Sequence, residues 1–526
     1  AGSVAQIQNL LSNVTCGTTE PVNNNHPILS VDYPDDMFIP ISTPFVLRCT
    51  AEDPDGHALT YSWEQMDLGE ELPIGQVAGN SPSFRCFNPV TSDTRFFPRL
   101  ATINSNGSDF SEILPTYSRE LKFRVFVRDN EPVGGTNFAN VNFRSTANAG
   151  PFVVTAPNTN ETWTSGAYVL VTWDVANTDK APVNCDKVNI LLSNNGGATY
   201  NFVLAEGVPN IGYACIIAPD ISSPLCRVRV EAANNVFFDI SNVNFRIEKT
   251  TAPVFGGICV DDLDQQICLP QTFNTNITTL GLNGYGDLVN LSILDAPVGA
   301  TASLSANTVA AGQDAALTID LPAGTPEGVY NVIVRAESSG ITVDRSIRLT
   351  VVSNDFSTLA TADPANGVSG LSQGVTLTWQ GAADADLYDV QLAVNPAFDT
   401  GSIVASAVQP ELSYTPPFLL EKGTVYYWRV RPINECGSGA WVETATFATE
   451  FNDCGTYQAF DLPKNIPANG TPTIESIIEV NAVGALNDVN VKALGGQHQF
   501  FSDLEVFLIS PDGTSVRLFR DRCNNY

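Results

Sequence analysis

The chain has 526 residues, of which 43% are hydrophobic and 16% are charged, a composition typical of globular proteins and not of disordered ones. At about 100–150 residues per domain, this length predicts four or five domains. The 26 Lys and Arg residues against 56 Asp and Glu residues give a net charge of −30, which argues against nucleic-acid and anionic-membrane partners because both would be repelled. No apolar run in the sequence approaches the roughly 20 residues that span a bilayer.

The composition predicts an all-β fold. The chain contains 39 Gly and 33 Pro, and short segments rich in Val, Thr and Phe alternate with turn residues. Strong helix formers are scarce after the first dozen residues, so we expect many short strands packed as sandwiches. The predicted segments are an N-terminal helix and linker at 1–23, β-sandwiches at 24–149, 150–250, 251–353 and 354–451, and an incomplete β-domain at 452–526.

The first segment carries the one convincing helical pattern, at residues 3–12. Its apolar residues fall on one helical face: Val4, Ile7, Leu10 and Leu11. A lone short helix is marginal in water, so we expect this one to pack against other parts of the protein.

The first sandwich is predicted from a strand–turn–strand pattern at 44–65 and from the hairpin at 121–146. Leu121, Phe123 and Val125 alternate with polar residues, which is the period of a strand with one buried face. The intervening stretch 66–118 is long for a loop and predicts extra strands or a lid-like excursion.

The later segments repeat the strand pattern with different turn signals. Asn-Asn-Gly-Gly at 194–197 marks a hairpin turn in the second sandwich. The third has turn signals every 8–12 residues, a spacing typical of immunoglobulin-like sandwiches. The last segment supplies at most four strands, too few to close a two-sheet core, and suggests that the chain is a piece of a longer precursor.

The fourth sandwich resembles a fibronectin type III domain over its whole length. Trp379 in LTWQG and Tyr388 in LYDVQL stand where that family places a strand-B tryptophan and a strand-C tyrosine. The stretch LEKGTVYYWRV resembles the tyrosine corner of the family, with Tyr426 as the corner residue. This resemblance implies a fibronectin type III-like β-sandwich at 354–451.

The last segment resembles the start of a proprotein-convertase P domain, a jelly-roll-like sandwich. The match comprises His498 and SDLEVFLISPDGT at 502–514, and the second half of the family pattern is missing. In that family such domains accompany secreted proteases and often bind calcium. The resemblance therefore implies Asp503 and Asp512 as calcium candidates.

The first two sandwiches resemble the pair that follows the catalytic domain in bacterial secreted reprolysin-like zinc metallopeptidases. The matching stretches lie at 42–69, 87–100, 112–130 and 171–200. In that family the helix SVAQIQNLL would be the last helix of the protease domain. The zinc-binding motif itself is absent from this sequence, so the resemblance implies a non-catalytic region without zinc, attached to a missing protease.

The eleven cysteines are spread thinly and include no C-x-x-C pair, which favours one local disulfide per domain in an oxidising compartment over buried free thiols. The predicted pairs are Cys436–Cys454, Cys259–Cys268, Cys215–Cys226 and Cys49–Cys86. Cys185 is interpreted as a thiol in the core. Cys16 and Cys523, near the two ends, are expected to have partners outside this chain.

The motif AEDPDGHALTY at 51–61 is the strongest candidate for a metal site. Asp53 and Asp55 flank a tight turn that resembles polycystic-kidney-disease-type and cadherin-like repeats, and the hairpin at 127–132 supplies Asp129 and Asn130. The loops after strands B and F lie at the same end of such sandwiches, so these oxygens would converge on calcium, which prefers six to eight hard oxygen ligands. The competing interpretation is a turn that simply favours Asp and Gly.

One residue of this motif departs from the common form. His57 stands where DPDGD has a carboxylate, which removes one expected ligand. The acidic run at 260–266 is interpreted as a solvated loop.

No catalytic constellation stands out in the sequence. The three histidines are His26, His57 and His498, far apart and without an H-E-x-x-H or G-x-S-x-G motif. Five tryptophans lie in strand-like settings, which favours core packing over carbohydrate stacking.

Two main functions fit these features, and a carbohydrate-binding array is a third and weaker alternative. The first is the non-catalytic attachment and spacer region of a secreted zinc metallopeptidase, and the alternative is an adhesin-like or filament-forming surface protein. We expect a secreted or cell-surface location in a bacterium, protein or cell-surface glycan ligands, self-association in the alternative case, and calcium as the only metal.

Overall fold

The computed structural model describes residues 2–15, 22–34, 36–132, 134–353, 356, 359–383, 385–450, 455–467, 469–481 and 488–520. Its elements are almost all β-strands, which confirms the predicted all-β fold class. Two compact units, Ala1–Val351 and Val352–Tyr526, divide the chain. Within the described ranges, no helix has both the length and the apolar character needed to cross a membrane.

The predicted helix forms as α1 (Gly2–Ser12). Its apolar side chains Ile7, Leu10 and Leu11 are 52%, 65% and 63% exposed. The expected packing of this face is therefore not made by the described part of the chain.

The first sandwich contains a mixed sheet in the order β2-β8-β7-β5, in which β2 runs parallel to β8, and two strand pairs, β1-β4 and β3-β6. Its elements are β1 (Ile28–Ser30), β2 (Phe38–Pro40), β3 (Phe45–Leu47), β4 (Thr50–Glu52), β5 (Thr60–Gln65), β6 (Arg95–Phe97), α2 (Leu100–Asn104), β7 (Arg119–Arg128) and β8 (Thr136–Thr146). The predicted alternation is present in β7, where Leu121, Phe123 and Val125 are buried and Lys122 is exposed. Phe45 and Phe123 each lie with ring centroids 4.8 Å from Phe97 in the core of this sandwich.

The long stretch 66–118 is mostly irregular but firmly attached to the sandwich. It contributes β6 and α2, and Phe84 makes an isolated bridge to Glu112. Buried Asp67 lies 3.8 Å from the guanidinium of Arg119, which also donates to the Ser81 carbonyl at 2.8 Å. These contacts indicate a packed excursion and not an open lid.

The second sandwich packs a five-strand path, β10-β17-β15-β12-β13 with β16 on β15, against the sheet β14-β11-β9. Its strands are β9 (Val153–Ala156), β10 (Thr162–Thr164), β11 (Tyr168–Asp174), β12 (Lys187–Ser193), β13 (Phe202–Pro209), β14 (Tyr213–Ile217), β15 (Ser223–Ala232), β16 (Phe238–Ile240) and β17 (Phe245–Glu248). Trp163 and Trp173 are buried in its core, as expected for packing residues.

The first two sandwiches are joined by backbone pairing. Phe45 and Phe237 form an antiparallel bridge, the Val46 N–H donates to the Val236 carbonyl at 2.9 Å, and the Phe238 N–H donates to the Pro44 carbonyl at 2.9 Å. Both bridging rings are fully buried, Phe45 in the first core and Phe237 in the second. One short strand pair therefore ties two hydrophobic cores together.

Polar contacts extend the same junction. Arg227 in β15 donates to the carbonyl of Asn104 at 3.3 Å, and the Asn104 amide donates to the Gly197 carbonyl at 2.9 Å. Arg227 and Arg229 alternate with Val228 along β15, yet both arginines are only 7% exposed. They are buried because the first sandwich and the neighbouring loops cover that face of the sheet.

The third sandwich consists of the sheets β18-β20-β24-β22 and β19-β26-β25-β21-β23. Its strands are β18 (Val254–Val260), β19 (Asp264–Cys268), β20 (Gln271–Leu282), β21 (Leu288–Leu294), β22 (Thr301–Leu304), β23 (Thr308–Ala310), β24 (Asp314–Leu321), β25 (Gly328–Ser338) and β26 (Ile341–Val352).

The second and third sandwiches are joined by a disulfide, Cys215–Cys259, that links β14 to β18 across a Cα–Cα distance of 5.9 Å. Beside it, the Tyr213 hydroxyl accepts a hydrogen bond from the Leu263 N–H at 3.0 Å. Gly257 has φ +93°, and a Cβ there would lie 3.2 Å from the Tyr168 carbonyl oxygen. The close approach of the two strands thus requires glycine at this position.

This bond corrects two of the predicted disulfide pairs. Cys215 is bonded to Cys259, so neither Cys215–Cys226 nor Cys259–Cys268 forms. Cys226 points into the second core as a fully buried thiol, whereas Cys215 lies in the other sheet of that sandwich. The predicted pairs rest on closeness of the cysteines in sequence, but closeness in sequence does not show which sheet of the sandwich each sulfur belongs to.

The remaining cysteines divide into free and bonded ones. Cys49 and Cys86 are free, so the predicted pair between them is wrong: Cys49 is buried and Cys86 is exposed. Burial raises the pKa of the Cys49 thiol to about 12 and that of Cys185 to about 11, and Cys185 is a free core thiol as predicted. Cys268 and Cys436 are disulfide-bonded. The predicted partner of Cys436, Cys454, lies outside the described residues, as do Cys16 and Cys523.

The fourth sandwich has the sheets β27-β29-β32 and β28-β35-β33-β30-β31, with β34 on β33. Its strands are β27 (Thr361–Asp363), β28 (Val368–Leu371), β29 (Leu377–Trp379), β30 (Leu387–Ala393), β31 (Ile403–Gln409), β32 (Ser413–Tyr414), β33 (Val425–Asn434), β34 (Gly437–Ser438) and β35 (Ala445–Thr449). The Tyr426 hydroxyl accepts from the Glu421 N–H at 2.9 Å, and the rings of Trp379 and Tyr388 lie 5.7 Å apart in the core. The fibronectin type III-like arrangement expected from these residues is present.

The described part of the last segment contains one hairpin, β36 (Glu505–Ile509) and β37 (Ser515–Arg520), preceded by the 3₁₀ turn η1 (Phe501–Asp503). This is fewer than the four strands that the sequence pattern allows at most.

The Cys215–Cys259 bond yields a prediction about stability. Replacing both cysteines by serine removes a link across a separation of 44 residues, for which the chain-entropy model gives a loss of about 4 kcal/mol. Under oxidising conditions we therefore expect a lower Tm for C215S/C259S in thermal unfolding. C86S, which removes an exposed free thiol, is the control, and an equal Tm for the two variants would contradict the structural role of the bond.

Asp239 in β16 yields a prediction about pH. Burial raises the pKa of its carboxyl to about 7, although the Val154 N–H donates to Oδ2 at 2.7 Å. Because the folded chain holds this proton more tightly than the unfolded chain, the contribution of the group to stability is complete below about pH 4 and is lost as the pH rises through about 7. An uncharged amide at this position would keep an acceptor for the Val154 N–H, so we expect D239N to gain stability relative to the wild type between pH 4 and 8 in denaturant unfolding. A difference in unfolding free energy between D239N and the wild type that stays constant from pH 4 to 8 would show that the pKa of Asp239 is not raised by folding.

Candidate metal centre

The turn at 53–57 places one carboxylate oxygen in the interior without a partner. Asp53 Oδ1 accepts from the N–H groups of Asp55 at 2.9 Å and His57 at 3.2 Å, which closes the turn around Gly56. The Asp53 side chain is only 1% exposed, and its Oδ2 has no hydrogen-bond partner among the described residues. A buried carboxylate oxygen is costly unless a donor or a cation satisfies it.

The facing hairpin supplies a second buried carboxylate. Asp129 is 2% exposed and accepts from the Gly135 N–H at 2.9 Å on Oδ1 and 2.8 Å on Oδ2, and from the Glu131 N–H at 3.1 Å. A side chain at Gly135 would collide with this carboxylate, so glycine is required where the hairpin closes on it.

The segment before the first strand completes the arrangement. Asn25 donates to the Asp55 carboxylate from its N–H at 2.6 Å and from its amide at 2.9 Å, and the Asn24 amide donates to Asp129 Oδ2 at 2.6 Å. Asn24 Oδ1 is buried with no partner within the described chain. The Asn25 carbonyl oxygen also lies at this point, against Gly135.

We call this set the oxygen cluster: the carboxylates of Asp53, Asp55 and Asp129, the Asn24 amide oxygen and the Asn25 carbonyl. Three separate chain segments contribute to it. In the described part of the chain, the one group of three or more potential ligand residues within 4.8 Å of one another is Asp53, Asp55 and His57. Asp129 lies outside that group but acts electrostatically on Asp55.

Electrostatics keep the cluster anionic. The hydrogen bonds from Asn25 lower the pKa of the Asp55 carboxyl. Burial alone would raise the pKa of Asp129, but the donors Asn24, Glu131 and Gly135 outweigh burial and leave that pKa below its usual value. The carboxyls of Asp55 and Asp129 are therefore held in the charged form and interact with each other electrostatically, an arrangement that favours a cation.

The cluster fits calcium by the chemistry of its donors. Calcium takes hard oxygen ligands from carboxylates, amides and backbone carbonyls, and all three kinds are present. Two buried oxygens, Asp53 Oδ2 and Asn24 Oδ1, lack a donor and are available to such an ion. His57 Nδ1 lies 3.4 Å from Asp53 Oδ1, where a protonated ring would offset part of the negative charge.

Asn130, the fourth predicted ligand of this site, has a different role in the described contacts. Its Oδ1 accepts from the Thr60 hydroxyl at 3.0 Å, and its amide donates to the Ala58 carbonyl at 3.1 Å. Asn130 thus ties the two loops together through these hydrogen bonds.

The weaker candidates Asp503 and Asp512 are exposed. Asp512 stabilises the turn of the last hairpin by accepting from Ser510 and from the Thr514 N–H, and Asp503 ends a 3₁₀ turn. Neither belongs to a ligand group among the described residues.

Sequence reasoning missed Asn24 and Asn25. The sequence feature that could have indicated them is the run Asn-Asn-Asn just before the first strand, but such a run is also typical of a linker. Asn24 meets Asp129 across 105 positions of sequence, so only the closed fold reveals the contact.

Comparison with known proteins gives no family. No family description matches the sequence, and no curated protein matches it either. Among solved structures, the chain is similar to a three-domain fragment of titin at 16% identity, with 56% of this chain and 96% of that chain covered and a TM-score of 0.25.

Two further structural likenesses are as distant. The N-terminal eight Ig domains of Down Syndrome Cell Adhesion Molecule match at 12% identity, covering 82% of this chain and 50% of that chain, with a TM-score of 0.25. Fibronectin(III)-like modules of Clostridium thermocellum CbhA match at 12% identity, covering 37% and 94%, with a TM-score of 0.20. At these scores the likenesses support no inference about function, and the fold class follows from the strand topology.

The oxygen cluster predicts calcium-dependent stability. An ion that binds only the folded chain adds about 2.7 kcal/mol at a concentration 100 times its Kd, so calcium should raise the Tm and a chelator should lower it. D53N should abolish this response and the corresponding heat in isothermal titration. D261N, in the exposed acidic loop of the third sandwich, is the control and should respond like the wild type; a full calcium response in D53N would exclude the site.

Proposed function

We propose that this chain is the non-catalytic attachment and spacer region of a secreted bacterial zinc metallopeptidase, with a calcium-binding first sandwich. The sequence supports the parent through the stretches 42–69 and 171–200, which resemble sandwiches that follow such protease domains. The net charge of −30 and the disulfide bonds suit an oxidising, extracellular setting.

The observation that carries the proposal is the continuity of the first three sandwiches. Backbone pairing at Phe45 and Phe237 joins the first two, and the Cys215–Cys259 bond joins the next two. A spacer must resist bending between its modules, and these junctions replace flexible linkers with packed or covalent contacts. Bound calcium would also tie residues 24–25 to the loops of the first sandwich and fix where the chain enters it.

One observation favours the alternative, a self-associating surface protein. β31 is an edge strand of the fourth sandwich, and Val404 and Val408 on it are 37% and 59% exposed. Exposed apolar edge strands can pair with a strand of another chain. In that case the function would reside in contacts between copies.

Sedimentation velocity distinguishes the two functions. A spacer region should remain monomeric over a wide concentration range, with calcium and with a chelator. Growth into oligomers or filaments would contradict the proposal, and loss of that growth in V408K, with V298K as an exposed control in the third sandwich, would assign it to the β31 edge. The precursor gene gives an independent test: an H-E-x-x-H motif upstream supports the metallopeptidase parent, and further sandwich repeats there contradict it.

A further inference from the structure

A groove on the first sandwich combines arginines with aromatic rings, which is unusual on a chain with a net charge of −30. It has a volume of about 230 Å³ and lies beside β5 and β6. We call it the arginine groove; the lining residues that matter are Tyr61, Phe87, Asn88, Arg95, Phe96 and Arg99. None of them contributes to the oxygen cluster.

Phe87 gathers three guanidinium groups around one ring. The guanidinium carbons of Arg85, Arg95 and Arg99 lie 5.0, 4.9 and 4.5 Å from its centroid. Cation–π attraction holds each of them, but three like charges this close repel one another. The arrangement therefore needs negative charge nearby.

Two carboxylates supply part of that charge. The side chain of Glu112 is fully buried and binds Arg95 at 2.9 Å and Arg99 at 3.2 Å, and Asp109 binds Arg99 at 2.9 Å. Arg95 and Arg99 are thus paired with carboxylates, whereas Arg85 forms no ion pair with another described residue. The buried ion pairs also hold the arginines in place before any ligand arrives.

Unused donors remain in and beside the groove: Arg85 does not line it but packs on Phe87, which does. The exposed guanidinium of Arg85 makes no hydrogen bond or ion pair with another described residue. Arg95 Nε is buried and has no acceptor among the described residues. Guanidinium donors held in this way match the two oxygens of a carboxylate.

The rest of the groove suits a sugar ring better than a peptide. The N–H and C=O groups of Tyr61 and Val90 already pair with each other, so this wall offers no free strand edge for a peptide. The donors that line the groove are side chains and include the Asn88 amide, and the half-buried ring of Phe96 is also part of the lining. The volume is below the roughly 300 Å³ of pockets that hold a whole drug-sized ligand, which fits a single ring of a polymer.

We propose that the arginine groove binds one uronic acid unit of an acidic polysaccharide. The net charge of −30 repels the rest of such a polymer, as it repels nucleic acids, so the attraction is confined to the arginines at the groove. The carboxylate of the sugar binds Arg85 and Arg99, and the positive charge of Arg95 lies nearby. The Asn88 amide binds hydroxyl groups of the sugar ring, and the apolar face of that ring packs on Phe96. This inference names a ligand class for the attachment role proposed above and depends on that role for its biological meaning.

Isothermal titration with oligogalacturonate tests the proposal, using the full chain in the presence of a chelator. The chelator removes calcium bridging, so failure of the oxygen cluster to bind calcium does not affect the result, and sedimentation of the unliganded chain tests the spacer role separately. We expect R85Q to bind about tenfold or more weakly, a loss of about 1.4 kcal/mol per tenfold change. R246Q, in the second sandwich, removes the same charge and should bind normally.

Phe87→Leu separates geometry from charge. It keeps all three arginines but removes the ring that gathers them, and it should also weaken binding. Equal weakening in R85Q and R246Q, tighter binding of polyglutamate than of oligogalacturonate, or no binding of oligogalacturonate by the wild type would each overturn the proposal. Unchanged Tm values for R85Q and R246Q confirm that the comparison concerns folded proteins.

Discussion

The antiparallel bridge between Phe45 and Phe237 is the contact on which the first unit depends most. Each residue places its ring in the core of its own sandwich while its backbone pairs with the other sandwich. Displacing either strand would expose a fully buried phenylalanine, and burying such a side chain stabilises a fold by about 1.5–3 kcal/mol. The junction is therefore coupled to both cores and is not a surface contact added to finished domains.

The packed strands of the first sandwich also determine where its two candidate sites form. The oxygen cluster forms where the loops after β4 and β7 meet the segment that precedes β1, and the arginine groove forms where the excursion at 66–118 returns to the sheet. Both lie on loops whose ends are fixed by packed strands. Loops positioned by a rigid scaffold are where binding residues concentrate.

The sequence predicted what depends on local patterns. Period-2 alternation identified β7, and the tyrosine-corner motif placed Tyr426 correctly, because each signal lies within a few residues. The Asp-Pro-Asp-Gly turn indicated that its carboxylates lie near Asp129, since the order of strands in a sandwich decides which loops share an end.

The rest depends on contacts that no local pattern encodes. Cys215 pairs with Cys259 because β14 faces the next sandwich, whereas Cys226, nearer in sequence, points into the core. Asn24 and Asn25 looked like linker residues, and Arg85, Arg95 and Arg99 fall in an irregular stretch without periodicity. The contacts of Asn24 and Asn25 could not be predicted because their partners lie far away in the sequence. The arginine cluster could not be predicted because its residues lie in no regular strand or helix.

The packed junction predicts that the first two sandwiches form one cooperative body. Native-state hydrogen exchange tests it directly at two amides of the junction, Val46 and Phe238, which donate across it to Val236 and Pro44. In a single cooperative body, both amides exchange only through the same global opening as the core amides of β7 and β15. Rapid exchange at both positions while the two cores stay protected would show that the two sandwiches open as independent modules.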